Sequence, residues 1–222
     1  GTSYNIHIPC DLSNKDSKKN AILELKSVLE RHDSPSKKLL LINSSGFGTY
    51  DVFPEPSLQS QLDMLEVNAK APLWLAGELI PHLKSWGGAI LNVASLAGFQ
   101  PTPFFATYGG TKAFGLSFAE ALRNELAEHG VSVTALLPAQ TETNFFHRGD
   151  MDDTAIGAGD KNDPTEVARQ GYDALMAGQD KVVGGDWSAK FKGNVTNKIL
   201  TEEQKADAHH DLARPGSAEA ND

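Results

Sequence analysis

The sequence predicts a doubly wound α/β fold, with parallel strands covered by helices on both faces. Two observations carry the prediction. Short apolar runs such as "KLLLIN" (38–43), "GGAILNVAS" (87–95) and "VSVTALLPA" (131–139) read as buried strands. Between them lie longer stretches whose apolar residues recur at helical spacing with one wet face. There is no internal repeat. A single domain is expected over residues 1–200, with a C-terminal helix and flexible tail over 201–222.

Each element has its own signal. "YNIHI" (4–8) alternates and predicts a first strand. In 14–32, Ile22, Leu23, Leu25, Val28 and Leu29 fall at helical spacing. The second strand is 38–43, and the Gly/Pro-rich 44–56 is a loop. Ser57 is placed to cap a long helix over 58–84, which Pro72 and Pro81 are expected to kink or break. After the strand 87–95 comes an amphipathic helix over 107–129, ended by Gly130. The strand 131–139 leads into a polar, Gly-rich loop over 140–162. Asp163 as cap, Pro164 at the first helical position and Gly178 as stop bound another helix. "KVVGG" (181–185) is a fifth strand. From 186 the pattern is helical, and "ARPGSAEAND" (213–222) is expected to be disordered.

Composition bounds the function. The chain has 222 residues, 40% hydrophobic and 22% charged, enough for one sizeable core. No apolar run reaches membrane-spanning length and no secretory pattern opens the chain, so no membrane partner is expected and the location is read as cytoplasmic. Cys10 is single and cannot close an internal disulfide. A net charge of −9 argues against nucleic acid. The glycosylation patterns at Asn43 and Asn194 then read as chance. His209 and His210, with Asp207 and Asp211, read as a solvated helix face, and no metal is expected.

In such sheets, ligands bind beyond the carboxyl ends of the strands. That edge should carry Asp11–Leu12, 43–46, Ser95 and 138–143. Tyr108 and Lys112 are four apart in a predicted helix and share a face. A tyrosine ionises near pH 10, and a neighbouring lysine cation should bring that value down. A serine hydroxyl nearby could donate to a substrate oxygen. Together these move a proton to or from a carbonyl or alcohol oxygen, while hydride must come from a cofactor. Taken alone, the Tyr–Lys pair reads more simply as a solvated helix face. The serine after a strand, and "LINSSG" one strand earlier, favour a site.

The motifs in order resemble the short-chain dehydrogenase/reductase family, from about residue 5 to 183. "CDLS" resembles its Asp-Leu/Val element, which would put Asp11 and Leu12 near the adenine. "NSSG" stands where the family has Asn-Asn-Ala-Gly; Asn43 and Gly46 are kept, and Ser44 and Ser45 replace the middle pair. Asn68 in "VNAKAP" matches the helix asparagine that supports a water-linked proton relay. Ser95 in "NVASLAG" matches the substrate-orienting serine. Tyr108 and Lys112 in "YGGTK" match the acid/base and its helper, which also holds the ribose. "LLPAQTETNF" resembles the segment around the nicotinamide, with Pro138, Ala139 for the usual Gly, Thr141 and Thr143.

The resemblance implies a Rossmann-like sheet, NAD or NADP as cofactor, and a carbonyl or alcohol as small-molecule substrate. The family's opening strand, Gly-rich turn and helix are absent from the sequence as given, so the first β-α-β unit is missing. The chain is therefore expected to be an N-terminally truncated piece that does not turn over by itself, with a long apolar strand edge uncovered. The residues that read the ribose 2′ position follow the family's own second strand, which lies in the missing part, so NAD and NADP cannot be told apart. The alternative is a non-catalytic scaffold of the same fold; an epimerase or dehydratase fits less well, because only a modest tail follows 183. Leu96, Phe99, Phe105 and Phe145, with Phe104 and Phe146 beside them, either line a hydrophobic substrate pocket or anchor their loops to the core. The family's habit of pairing the helices that carry Asn68 and Tyr108 implies a homodimer or homotetramer. Trp74, Leu75, Leu79, Phe114, Phe118 and Leu122 lie on stripes that could serve the interface or the core.

Overall fold

The computed structural model describes residues 6–31, 38–53 and 55–218. Helix α1 (Lys15–Arg31) leads to strand β1 (Leu39–Asn43). Helix α2 (Leu58–Leu65) runs through a π turn (Glu66–Lys70) into α3 (Ala71–Trp86), then β2 (Gly88–Val93). A short 3-10 turn (Leu96–Phe99) precedes α4 (Ala106–Ala127) and β3 (Val131–Pro138). Two short helices follow, α5 (Phe145–Arg148) and α6 (Ala155–Ala158), then α7 (Pro164–Met176) and β4 (Lys181–Gly184). The chain closes with α8 (Trp187–Phe191), a second π turn (Lys192–Thr196), α9 (Asn197–Ile199) and α10 (Glu202–Ala213).

The four strands pair in parallel in the order β1-β2-β3-β4. One face packs Ile90, Val131, Val133 and Leu137 against α1, α3 and α4, through Ile22, Leu83, Leu116 and Leu122. The other packs Ala89, Leu91 and Leu136 against Val167 and Leu175 of α7. Helices on both faces make the sheet doubly wound, as the alternation of patterns predicts. Among the described residues β1 is an edge strand. Leu39 and Leu41 join the first core, while Leu40 and Ile42 are exposed on the other face.

Local chemistry explains the ends of the elements. Ser57 accepts the Ser60 amide and Asp163 accepts the Glu166 amide, each capping its helix. Gly130 takes φ +67°, which favours glycine, just beyond α4. Four expectations need correction. Ile6–Ile8 is irregular, and the rest of the 4–8 strand lies outside the described residues. Pro72 and Pro81 do not break the long helix. Pro72 sits in the first turn of α3, where its missing amide costs little, and the π turn just before it absorbs the mismatch; Pro81 lies inside α3. The 140–162 loop contains α5 and α6; Thr154 caps α6 by accepting the Gly157 amide. The tail does not trail away after Ala213. Ser217 Oγ accepts the Ala155 amide at 2.8 Å, and the Ala218 amide donates to the Asp153 carbonyl at 3.1 Å. The last four residues lie outside the described set.

Among the predicted interface residues, Leu79 and Leu122 belong to the core, Trp74, Leu75 and Phe118 pack against it, and Phe114 is exposed. Among the described residues no helix is long and apolar enough to cross a membrane, and no cluster of His, Cys, Asp or Glu could hold a metal.

Candidate active site

The site gathers at the carboxyl ends of β1 and β2, with α4 across them. Asn43 and Asn92 are polar residues closing apolar strands, and they face each other in the parallel register. Asn43 Nδ2 donates to Asn92 Oδ1 at 2.8 Å, which satisfies part of two buried amides and ties the strand ends together.

Asn68 lies in the middle of the first π turn and is buried. Pro72 has no N–H to offer the Asn68 carbonyl four residues back, and the Ala71 amide reaches instead to the Glu66 carbonyl, five back. This wider turn sets the Asn68 side chain against the loop after β1. Its Oδ1 accepts the Phe47 amide at 3.1 Å, and its Nδ2 donates to the Phe47 carbonyl at 2.8 Å and to Thr111 Oγ1 at 3.2 Å. One side chain thus grips a peptide of one loop and helix α4. A Cβ at Gly46 would stand 3.2 Å from Asn68 Oδ1 and 3.4 Å from Lys112 Nζ, so the glycine lets the backbone approach both.

Lys112 is buried, and its Nζ donates to the Val93 carbonyl at 3.0 Å. Burial pushes its pKa down to about 8. The same ammonium stands over the Tyr108 ring, 5.6 Å from the centroid. Ser95 follows β2; its Oγ accepts the Ala97 amide at 3.1 Å and also meets the Tyr108 phenol.

The phenol departs from the sequence-based expectation. Burial pushes Tyr108 up to about 12, and the opposing pull comes from the Ser95 hydroxyl. Here burial outweighs the lysine, whose ammonium is directed at the Val93 carbonyl and the ring face. Phe105 packs edge-on at 5.6 Å and Phe145 lies 5.2 Å away, and together they cover part of the ring. These rings, with Phe146, Met151, Tyr50 and Phe104, form a third apolar cluster.

Ser95, Tyr108, Lys112, Asn68, Asn43 and Gly46 are therefore brought together, with Phe105 and Phe145 beside them. Leu96 and Phe99 instead pack against the main core. Ser44 is exposed next to Asn43. Pro138 ends β3, and the Ala139 amide donates to the Gly184 carbonyl. Thr141 bonds the Ala139 carbonyl, and Thr143 Oγ1 accepts the Phe145 amide. Asp11 and Leu12 sit at the turn that opens α1. There Asp11 accepts from the amide and hydroxyl of Ser13, which lower its pKa.

Sequence reasoning missed Asn92, Thr111 and the Phe47 peptide. A polar residue inside the run "AILNV" and a threonine next to the key lysine were the available signals.

The family model for short chain dehydrogenase matches residues 3–153. The chain belongs to the short chain dehydrogenase family. This short chain dehydrogenase is 32% identical over 138 residues to an uncharacterized oxidoreductase of Staphylococcus saprophyticus, covering 62% of the chain and 57% of the relative. It is 26% identical over 198 residues to the 3beta-hydroxysteroid dehydrogenase of Mediterraneibacter gnavus, covering 89% of the chain and 66% of the relative. The chain thus spans about half to two thirds of the length of these curated relatives. Among solved structures it resembles a short-chain dehydrogenase from Sphingobium yanoikuyae in complex with NADPH. The TM-score is 0.69 at 25% identity, covering 79% of this chain and 66% of that one.

Proposed function

We propose that the protein acts as an oxidoreductase passing hydride between NAD(P)(H) and a hydrophobic ketone or secondary alcohol, with Tyr108 as acid/base. The observation that carries this reading is the meeting of Ser95, Tyr108 and Lys112 at one sheet edge. Support for the cofactor comes from the glycine cradle at Gly46, which opens beside the buried ammonium. These residues suit the nicotinamide and ribose half of a dinucleotide. Lys112, Tyr108, Asn43 and Gly46 would hold it together with the 138–143 loop, and when bound it supplies the hydride that no side chain can. Support for a hydrophobic substrate comes from Phe105 and Phe145 beside Tyr108 and from the steroid named for the M. gnavus relative.

The residues then divide the work. A phenol held near 12 is neutral at physiological pH and is the form that donates a proton, so Tyr108 serves carbonyl reduction. Ser95 adds a second donor to the substrate oxygen. Lys112, with a pKa of about 8, is largely cationic at neutral pH and favours the phenolate left after transfer. Asn68 fixes the Phe47 peptide and Thr111, and so the loop and helix that meet at Lys112.

The test is turnover of NADPH or NADH with a steroid ketone by the full-length protein, as wild type and as Tyr108→Phe. The substitution should lower turnover by about 10²–10⁴-fold. Equal turnover in the two would remove Tyr108 from the chemistry. We also place the subunit in a homodimer or homotetramer, supported by exposed Leu58, Leu62 and Leu73 on α2 and α3 and Phe114 on α4. Light scattering should then give a mass at least twice that of one chain.

A further inference from the structure

The segment after β4 has a feature that the proposed reaction does not use. Its backbone stays helical from Trp187 through the π turn to Ile199, about 20 Å of rod. Ala189 and Gly193 face the protein. A Cβ at Gly193 would stand 2.7 Å from Val183 and 2.8 Å from Leu96, so small residues seat the rod closely on the sheet edge.

The opposite face carries Trp187, Phe191, Val195 and Ile199, four apart throughout, and they are 77%, 49%, 37% and 74% exposed. In a regular α-helix such a series drifts about 40° per step. The π turn at Lys192–Thr196 takes an extra residue into one turn and offsets the drift, leaving a single straight stripe. Trp187 and Phe191 stack along it at 5.5 Å.

The charges around the stripe select its partner. No carboxylate occurs between Asp186 and Glu202, while Lys190, Lys192 and Lys198 do, in a chain of net charge −9. Asp163, Glu166 and Asp186 stand beside Trp187 and Lys190 at the N-terminal end of the stripe, so its basic part is the C-terminal half, where Lys192 and Lys198 are exposed. An exposed apolar stripe on a lysine-bearing segment needs no groove to receive it. It suits a bilayer surface, where the ring stripe sinks to the acyl boundary and the lysine stems keep their ammonium groups among the phosphates. A helix lying on a membrane needs neither the length nor the all-round apolarity of a span.

We propose that the helical segment Trp187–Ile199 docks the protein on a lipid surface carrying anionic headgroups. The seat of Gly193 against Leu96, next to Ser95, would bring that side of the site up to the lipid. The docking does not depend on the reaction proposed above and is tested without it.

The test is flotation of the full chain with vesicles of phosphatidylcholine alone, or with about one third phosphatidylglycerol. At low salt, the anionic vesicles should carry at least about ten times more protein. Trp187 emission should shift to the blue, since Trp74 and Trp86 already pack against the core. Trp187→Ser with Phe191→Ser, and separately Lys192→Glu with Lys198→Glu, should each lower flotation about tenfold. All four side chains are exposed, so the melting temperature should hold and rule out misfolding. Three results would overturn the proposal. One is no flotation, or equal flotation with both vesicle types. Another is flotation that the serine pair leaves unchanged. The third is a drop from dimer to monomer in the serine pair without vesicle binding in the wild type, which would assign the stripe to a second copy.

Discussion

Lys112 shows how a buried charge makes stability depend on pH. Its folded pKa of about 8 lies below the ordinary lysine value of 10.5. Between those values the unfolded chain binds the proton that the folded chain has released, so stability rises with pH from about 8 to about 10.5. Below pH 8 the cost of the buried cation is present in full, on the order of 3 kcal/mol. Tyr108 acts in the opposite sense. Its folded value of about 12 lies above 10.0, so stability falls between those pH values, as the unfolded chain alone gives up the phenolic proton. Urea unfolding of Lys112→Met should therefore lose the rise between pH 8 and 10 that the wild type shows. An unchanged slope would place the titration on another group. A second residue-scale test concerns space. A Cβ at Gly109 would lie 2.0 Å from Thr102 Oγ1, a buried hydroxyl that donates to the Phe105 carbonyl. Gly109→Ala should cost about 2–3 kcal/mol in the same assay, and Thr102→Ala should recover part of it. Full stability in the single variant would contradict that packing.

At the level of elements, what could be read from the sequence was what is written locally. Asp163, Pro164 and Gly178 bound α7 because cap, first turn and stop each have their own chemistry. Asp163→Ala should accordingly lower stability by about 1 kcal/mol, and no change would mean that the cap is replaced by solvent. The parallel strands were equally legible, since burial on both faces leaves a continuous apolar run. The π turn at Glu66–Lys70 was not, because a proline alone does not say whether a helix breaks or widens. Alternation at 4–8 describes a pattern but supplies no neighbouring strand, and Ile6–Ile8 is irregular. Within the site, Ser95, Tyr108 and Lys112 were found by motif order. The direction of the Tyr108 shift was hidden, since it follows from aromatic packing by residues 3 and 37 positions away.

At the scale of the whole molecule, the C-terminal segment holds together loops that the sheet alone leaves apart. The Tyr50 hydroxyl, after β1, donates to the Ala213 carbonyl. Lys205 of α10 donates to the Phe99 carbonyl, after β2, at 3.3 Å. Asp153 and Ala155, after β3, meet the Gly216 amide, the Ala218 amide and the Ser217 hydroxyl. The His210 ring lies 5.1 Å from Phe104, which holds φ +64°, a strained value for a side chain of that size. Such contacts span 60 residues and more, so local sequence patterns could not reveal them. Removing residues 202–222 should therefore act on the loops before it acts on the sheet. Amide exchange in 96–105 and 150–158 should speed up by tenfold or more, while β2 and β3 keep their order of protection. The melting temperature should fall by several degrees, at about 2–4 °C for each kcal/mol lost. Unchanged exchange in both loops would show that they are held by the third apolar cluster alone. Equal acceleration in the strands would make the segment part of the core rather than a tie across its open end.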